Sequence, residues 1–459
     1  MPIRCLIHAS DVLRARLRLP PARLAICGLL SLAMLYASPS AVAAGVARSD
    51  TGRSVSLLLR DGRWISTRLE RFTNDSLEFS TAVAAAETGV VAPAVRSDIL
   101  ACVVGGFPRS MTFMTAVGAS SIVFSDGQLL PGVIQCESKQ CALEHKWLGR
   151  IPLEIERLSE IRVDAARRAP TRLDSDMLLL SNGDTIRGFV LSLGEEIPLE
   201  TTEQSGEGSS AEPTEQPNDP PAATEGAGPA TRRLRMERIA AIAFAATTET
   251  ASANPMAWTA DGTIMRVMDV ALDPVSGWAF TPAMQDVGVS SSNVVIAESM
   301  MQPKALLFDR AALIPLAACG TPRMLPPESS YRFEQSPEIR VDPPEQALLG
   351  LGEIAVAGPT RLQFGLPERL IAAAKPSVFT CEVALREPAP VDARLSVEIR
   401  YGGTSTGSIV LDASRRRAAV RLEWTAKRGD VLDISVADGG NGIAGDHLVL
   451  QRACFVQQR

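Results

Sequence analysis

The chain has 459 residues, a net charge of −6, and is 21% charged and 5% aromatic. That balance, with arginines scattered among acids and no basic stripe interleaved with aromatics, excludes nucleic acid as a partner. After residue 44 no stretch reaches the roughly 20 apolar residues of a membrane helix, so the mature chain is expected to be soluble.

Residues 1–44 have the layout of a signal peptide. Arg4, Arg14, Arg16, Arg18 and Arg23 precede an apolar run over 24–36, and Ala41, Val42, Ala43 and Ala44 supply small residues for cleavage. Cys27 stands too early in that run, behind Ile26, for a lipoprotein anchor. A secreted or periplasmic location is therefore expected, where cysteines oxidise. Cys5 and Cys27 leave with the signal, while Cys102, Cys136, Cys141, Cys319, Cys381 and Cys454 remain, an even number that favours disulfides. Residues 45–459 suffice for several domains at about 150 residues each.

Four times an apolar strand runs into a turn dipeptide and a second strand. The turns are Asp61-Gly62, Asp126-Gly127, Asn182-Gly183 and Asp261-Gly262. Such dipeptides tolerate the positive φ of a tight hairpin turn. Three residues past each glycine stands an apolar side chain: Ile65, Leu130, Ile186 and Met265. Two further on, copies two and three carry Gly132 and Gly188, suited to a bulge or a close backbone approach. Each copy ends in another apolar segment, at 99–102, 158–161, 236–239 and 313–316. A lone hairpin is marginal in water, so the strands must close into small barrels or pack on neighbouring copies. The turn spacing is too uneven for a tight solenoid. We therefore expect four small barrel-like units, two in 45–168 and two in 169–320. Within the third, residues 201–231 hold hardly any large apolar side chain, which predicts a disordered insertion between two strands of one unit.

Cys136 and Cys141, five positions apart after a hairpin strand, are expected to form a local disulfide. Cys102 and Cys319 occupy similar closing segments of units one and four, which predicts a bond joining the ends of the array. Trp64 and Trp278 fall on strands of the repeats and are expected to pack. Catalysis finds little footing. His145 has no Ser or Cys in a recognisable nucleophile setting, no His and Cys cluster has zinc spacing, and no glycine-rich strand-to-helix turn suggests phosphate binding. The chain is expected not to be an enzyme.

From about residue 321 to 459 the pattern changes to longer alternating strands around Phe379, Leu395, Val420 and Val431, separated by turn clusters, and an antiparallel β-sandwich follows. The fold class is thus all-β. Trp424 shares its strand parity with Val420 and Leu422, which favours core packing over sugar stacking. In the turn that follows, Asp438, Asn441 and Asp446 offer hard oxygen ligands suited to Ca2+, with a satisfied Asx-type turn as the competing reading. At Gly350-Leu351-Gly352, at 362–367, and above all at the Gly-rich turn 438–447 ending in Asp446-His447, the region resembles the NPCBM-type carbohydrate-binding modules, jelly rolls related to galactose-binding domains. The hairpin units resemble those accompanying such modules in exported proteins of planctomycete-type bacteria.

The resemblance implies a jelly roll that binds polysaccharide or glycoconjugate through Asp446, His447 and Asn441. Its topology also brings Cys381 and Cys454 together, which implies a disulfide, two buried free thiols being the alternative. Two positions depart from the family. Glu353-Ile354-Ala355 replaces a His-containing segment, and Leu450 replaces a Trp. Two functions follow: an exported glycan-binding protein, or a structural or protein-interaction component of the cell envelope whose sandwich has lost its sugar.

Overall fold

The computed structural model describes residues 53–73, 77–79, 96–105, 120–138, 140–164, 167–170, 174–201, 231–245, 254–273, 277–283, 296–297, 302–325, 339–342, 347–439 and 447–458. The expected signal peptide at 1–44 and nearly all of the insertion at 201–231 lie outside them. The described residues are almost entirely strand and turn, with a single α-helix among them, α1 (Glu368–Ala373).

Unit one comprises β1 (Arg53–Leu59), β2 (Trp64–Phe72), β3 (Leu77–Phe79) and β4 (Ile99–Val104). Unit two comprises β5 (Ser120–Phe124), β6 (Leu129–Glu137), β7 (Gln140–His145), β8 (Gly149–Pro152) and β9 (Leu158–Arg162). Unit three comprises β10 (Asp176–Leu180), β11 (Thr185–Val190), β12 (Glu196–Glu200), β13 (Thr231–Arg235) and β14 (Ile239–Ala243). Unit four comprises β15 (Met256–Thr259), β16 (Ile264–Asp273), β17 (Gly277–Pro282), β18 (Ile296–Ala297) and β19 (Pro303–Leu307).

The four turn dipeptides each join an antiparallel pair, and Gly62, Gly127, Gly183 and Gly262 all take positive φ, which a side chain would resist. At the centre of every unit lies an apolar rung. Leu57 faces Ile65 and Cys102, Ile122 faces Leu130 and Ile161, Leu178 faces Ile186 and Ile242, and Ala257 faces Met265 and Leu306. These rungs fill one continuous core. The first strand of each unit also shifts register near its end, after Leu58, Val123, Leu179 and Trp258, so the copies share a bulge as well as a turn.

Closing strands then pair with each other. β4 runs against β19 with Cys102 opposite Leu306, and β9 against β14 with Ile161 opposite Ile242. Units one and four, and units two and three, therefore share continuous sheet, and 19 strands form one connected network. β12 and β13 pair directly on either side of the insertion.

Two closing segments differ from the sequence reading. In unit three, 236–238 form a 3-10 turn and the strand begins at Ile239. In unit four the closing strand is β19, whereas β20 (Leu313–Pro315) pairs with the last strand of the sandwich. Pro303 hides β19 in the sequence, because proline is tolerated only at the start of a strand or at an edge.

Gly132 and Gly188 sit where β6 and β11 leave one partner strand for the next. A Cβ there would lie 2.6 Å from the carbonyl oxygen of Glu144 and 2.4 Å from that of Glu200, respectively. Both are the close backbone approaches their spacing suggested. Gly188→Ala should therefore cost about 1–3 kcal/mol by pushing β11 off β12. Urea unfolding of this variant beside an exposed control, Arg238→Ala, checks it, and equal midpoints would contradict it.

The C-terminal sandwich sets two antiparallel sheets face to face. One orders β22 (Ile339–Val341), β23 (Ile354–Ala357), β31 (His447–Gln457), β25 (Pro376–Leu385) and β29 (Arg417–Thr425), with β20 on β31. The other orders β21 (Arg323–Leu325), β24 (Thr360–Gly365), β30 (Val431–Asp438), β26 (Leu395–Tyr401) and β27 (Thr404–Ser405), with β28 (Ile409–Leu411) on β26. Because side chains alternate across a strand, β25 and β31 present two apolar faces. Phe379, Cys381, Val383, Leu450 and Phe455 fill the sandwich core. Val378, Cys454 and Val456 point the other way, into a second buried cluster with Leu58, Leu100, Met256 and Trp258 of the hairpin units. Gly62 meets this face so closely that a Cβ would lie 2.6 Å from Val378 Cγ1. Arg421 Nε donates to the Asp61 carbonyl at 2.7 Å beside it.

This alternation decides the cysteines. Cys136 and Cys141 lie directly opposite on β6 and β7 and form the expected disulfide, with Cα atoms 4.0 Å apart. The other two expected bonds are absent, for Cys102, Cys319, Cys381 and Cys454 are free thiols. Cys381 faces the sandwich core and Cys454 the opposite side of the same sheet, so their sulfurs cannot meet although their strands are neighbours. Cys102 is the unit-one rung residue, equivalent to Ile161, Ile242 and Leu306, and behaves as a small hydrophobe. Cys319 packs against the sandwich core instead and donates to the Pro315 carbonyl at 3.5 Å. Burial pushes the Cys102 and Cys454 thiols up to about 12, and so keeps them protonated. A chain of residues 45–459, alkylated without reductant after unfolding, should gain four adducts, from the four free thiols. Two or none would restore one or both of the missing bonds.

Candidate functional site

Strand register gathers three loops, and the two ends of a fourth connection, at one end of the sandwich. His447 opens β31 opposite Ala357, the last residue of β23, and its carbonyl accepts the Arg386 N–H at 2.8 Å. Leu385 N–H donates to the Arg416 carbonyl at 2.9 Å, and Gly439 N–H to the Arg394 carbonyl at 3.0 Å. The connections 357–360, 386–394 and 412–416 thus lie beside Asp438, Gly439 and His447. Asp438 ends β30 opposite Leu395, so Asp438 and His447 bracket the glycine-rich turn. A Cβ on Gly439 would come within 2.7 Å of the Arg394 carbonyl, so glycine lets the backbone at 439 lie against its neighbour.

His447 is exposed, and Arg386 and Arg394 are exposed around it. Arg416 pairs with Glu387 at 3.6 Å and Arg417 with Glu382 at 3.2 Å. Asp412 accepts from the Ser414 hydroxyl at 2.6 Å and from the amides of Ser414 and Arg415 at 2.8 and 2.9 Å. Those bonds hold its carboxyl below the usual range and stiffen the 412–416 loop. The loop end therefore offers an imidazole, guanidinium donors and fixed carboxylate acceptors within one rim, a set suited to polar hydroxyl-bearing ligands.

Of the expected ligand residues, His447 stands on this rim, while Asn441 and Asp446 lie outside the described residues. Of the expected oxygen set for a metal, only Asp438 falls within them. No group of three or more His, Cys, Asp or Glu able to hold a metal occurs among the described residues. The arginines of the rim were not expected from the sequence. Arg415, Arg416 and Arg417 form a visible run, but only the folded register places it at the same end of the sandwich as His447.

Trp424 belongs to the opposite end, where it pairs with Ser377. Its indole donates to Asp430 at 2.8 Å and its ring covers Gly402 and Gly403, so it packs, as its parity suggested. Trp278 is fully buried, with ring centroids 5.8 Å from Phe72 and 6.0 Å from Phe280. The Trp64 ring lies 5.8 Å beneath the Arg452 guanidinium. The two departures from the carbohydrate-module pattern turn out to be neighbours. Leu450 is buried opposite Ile354, and Gln451 donates to Glu353 Oε1 at 2.9 Å. Burial raises the Glu353 carboxyl, a shift that the Gln451 bond opposes.

His145 is buried in the hairpin units, away from this rim. Its Nδ1 accepts the amides of Trp147 and Leu148 at 3.4 and 3.2 Å, which leaves Nε2 to donate to Thr263 Oγ1 at 3.1 Å. Burial lowers its pKa to about 4, with Asp261 acting in opposition.

No protein-family model matches the chain, and no curated protein does. Among solved structures, CBM51 from Clostridium perfringens GH95 in complex with methyl-galactose matches at 15% identity, over 31% of this chain and 99% of that one, with a TM-score of 0.23. The CBM51-2 and INT domains of Clostridium perfringens ZmpB match at 13% identity, over 32% of this chain, with a TM-score of 0.22, and the chain spans 31% of that structure. The tandem CBM51 modules of Sp3GH98, a family 98 glycoside hydrolase from Streptococcus pneumoniae, match at 10% identity, over 50% of this chain and 63% of that one, with a TM-score of 0.23.

Proposed function

We propose that the chain is an exported, non-catalytic protein that binds polysaccharide or glycoconjugate through the loop end of its C-terminal sandwich. The observation that supports this reading is the convergence of three loops and of Asp438 and Gly439 around exposed His447 at one rim, with hydrogen-bonding groups of both kinds. The two central strands of that sheet, β25 and β31, are covered on both faces. His447 supplies a ring edge for a sugar face, and Asp446 accepts from hydroxyls. The same turn is where Ca2+ would be held, by Asp438, Asn441 and Asp446. The hairpin units act as a rigid base.

A glycan array probed with residues 45–459 tests the reading, and the whole chain is needed. A fragment of 321–459 would lack β20 and bare the apolar face of Val378, Cys454 and Val456. Binding to a defined glycan class is expected. Uniformly blank arrays, from folded protein, would contradict it.

A second reading, a structural or protein-interaction component of the cell envelope, is favoured by one observation. Leu450 is buried opposite Ile354 of β23, and Glu353, just ahead of that strand, accepts from Gln451 of β31, so both positions serve contacts within the sheet.

A further inference from the structure

A cavity of about 320 Å³ opens between hairpin units two and four and the start of the sandwich. Its wall is apolar, with Met256, Trp258, Leu307 and Leu349 among the lining residues. Three guanidinium groups border it: Arg162, Arg310 and Arg369.

Only one of the three is neutralised. Arg162 pairs with half-buried Glu160 at 2.5 Å. The two aspartates beside Arg310 are already engaged. Asp126 binds Arg266 and accepts from Gln128 Nε2 at 2.8 Å, and Asp309 pairs with Arg60 at 2.9 Å. Arg310 donates to the Asp126 backbone carbonyl, and Arg369 to that of Leu313 at 3.2 Å. Among the described residues, neither has a carboxylate partner. The two cations also lie close enough for Arg310 to disfavour the charge on Arg369, while the Cys319 thiol beside them is held protonated by burial. Partly desolvated like charges without a counter-ion oppose folding, and an anion bridging them removes that cost. The indole N–H of Trp258, a wall residue, is buried without a hydrogen-bond partner.

We propose that this cavity is a second binding site, for a small amphipathic oxyanion, a carboxylate or phosphate carried on an apolar body, with Arg310 and Arg369 clamping the head group. The apolar wall takes the body, and the volume lies at the lower end of the range for small-molecule sites. It is separate from the loop end of the sandwich and stands whether or not that end binds glycan.

The test is calorimetry and thermal melting of residues 45–459 with octanoate, octylamine and inorganic phosphate as probes. Octanoate should bind saturably and raise the melting temperature, phosphate should bind more weakly, and octylamine not at all. Arg310→Gln and Arg369→Gln should each weaken octanoate by about tenfold or more. Neither should lower the melting temperature of the free protein, since each removes an unpaired charge. Equal responses to octanoate and octylamine, or no response to octanoate from the unchanged protein, would overturn the proposal. So would octanoate affinity unaltered by both substitutions. Should either variant unfold, the comparison of acid with amine on the unchanged protein still decides it.

Discussion

Phe455→Ala should destabilise the chain by about 3–5 kcal/mol, the largest effect expected of any single change discussed. Phe455 is fully buried on β31, with ring centroids 5.2 Å from both Phe379 and Tyr401. Truncation loses the buried area, leaves a cavity that the two flanking strands cannot collapse into, and removes two aromatic contacts. The strand matters as much as the side chain. β31 pairs with β20, β23 and β25, and its other face carries Cys454 and Val456 into the contact with the hairpin units. The hairpin core should therefore unfold with the sandwich in one transition. Urea unfolding followed by tryptophan fluorescence and by far-UV circular dichroism checks both points. A loss below about 1 kcal/mol, or two separated transitions, would contradict this packing.

Acid should weaken the hairpin units through His145. Burial lowers its folded pKa to about 4, from 6.5 when unfolded, so the neutral ring is the form that the fold accepts. A depressed folded pKa contributes stability that is complete above about pH 6.5 and lost as pH falls toward 4. The shift corresponds to roughly 3 kcal/mol over that window. Asp261 acts in a separate range. Burial alone would raise its carboxyl, but hydrogen bonds from Thr259, Trp147 and Thr263 outweigh this and hold it low, so it stays ionised while His145 titrates. His145→Gln keeps a donor for Thr263 and cannot titrate. Melting curves from pH 7 to pH 4.5 should fall steeply for the unchanged protein and much less for this variant. Parallel curves would mean that His145 does not sense the acid.

The hairpin repeat was legible because its turns impose a local constraint. A positive φ that glycine adopts most easily marks Gly62, Gly127, Gly183 and Gly262, and the strands on either side follow from their apolar runs. Gly132 and Gly188 were readable for the same reason. In units one and four, Thr67 and Val267 stand at those places, and β2 and β16 instead shift register beyond them, a solution with no residue signature. The sandwich was legible from alternation, but which face of β25 and β31 was covered was not. Both faces are apolar, so sequence parity alone could not place Cys381 and Cys454 on opposite sides. Arg310 and Arg369 escaped notice because the cavity is made by segments from units two and four and the sandwich, brought together only by the fold. Similarly, Leu450 and Glu353 read as two separate departures, and their adjacency depends on the register of β23 against β31.

The most direct test of glycan binding at the loop end is retention of residues 45–459 and of Asp446→Ala on a polysaccharide chosen from the array, with melting temperatures taken on the same samples. The account predicts that the unchanged chain is retained and that Asp446→Ala washes through with an unaltered melting temperature, as a side chain that serves the ligand rather than the core would give. Retention of Asp446→Ala, together with a stability loss of about 1–3 kcal/mol from an amide left unpaired, would contradict it and assign that turn to structure alone.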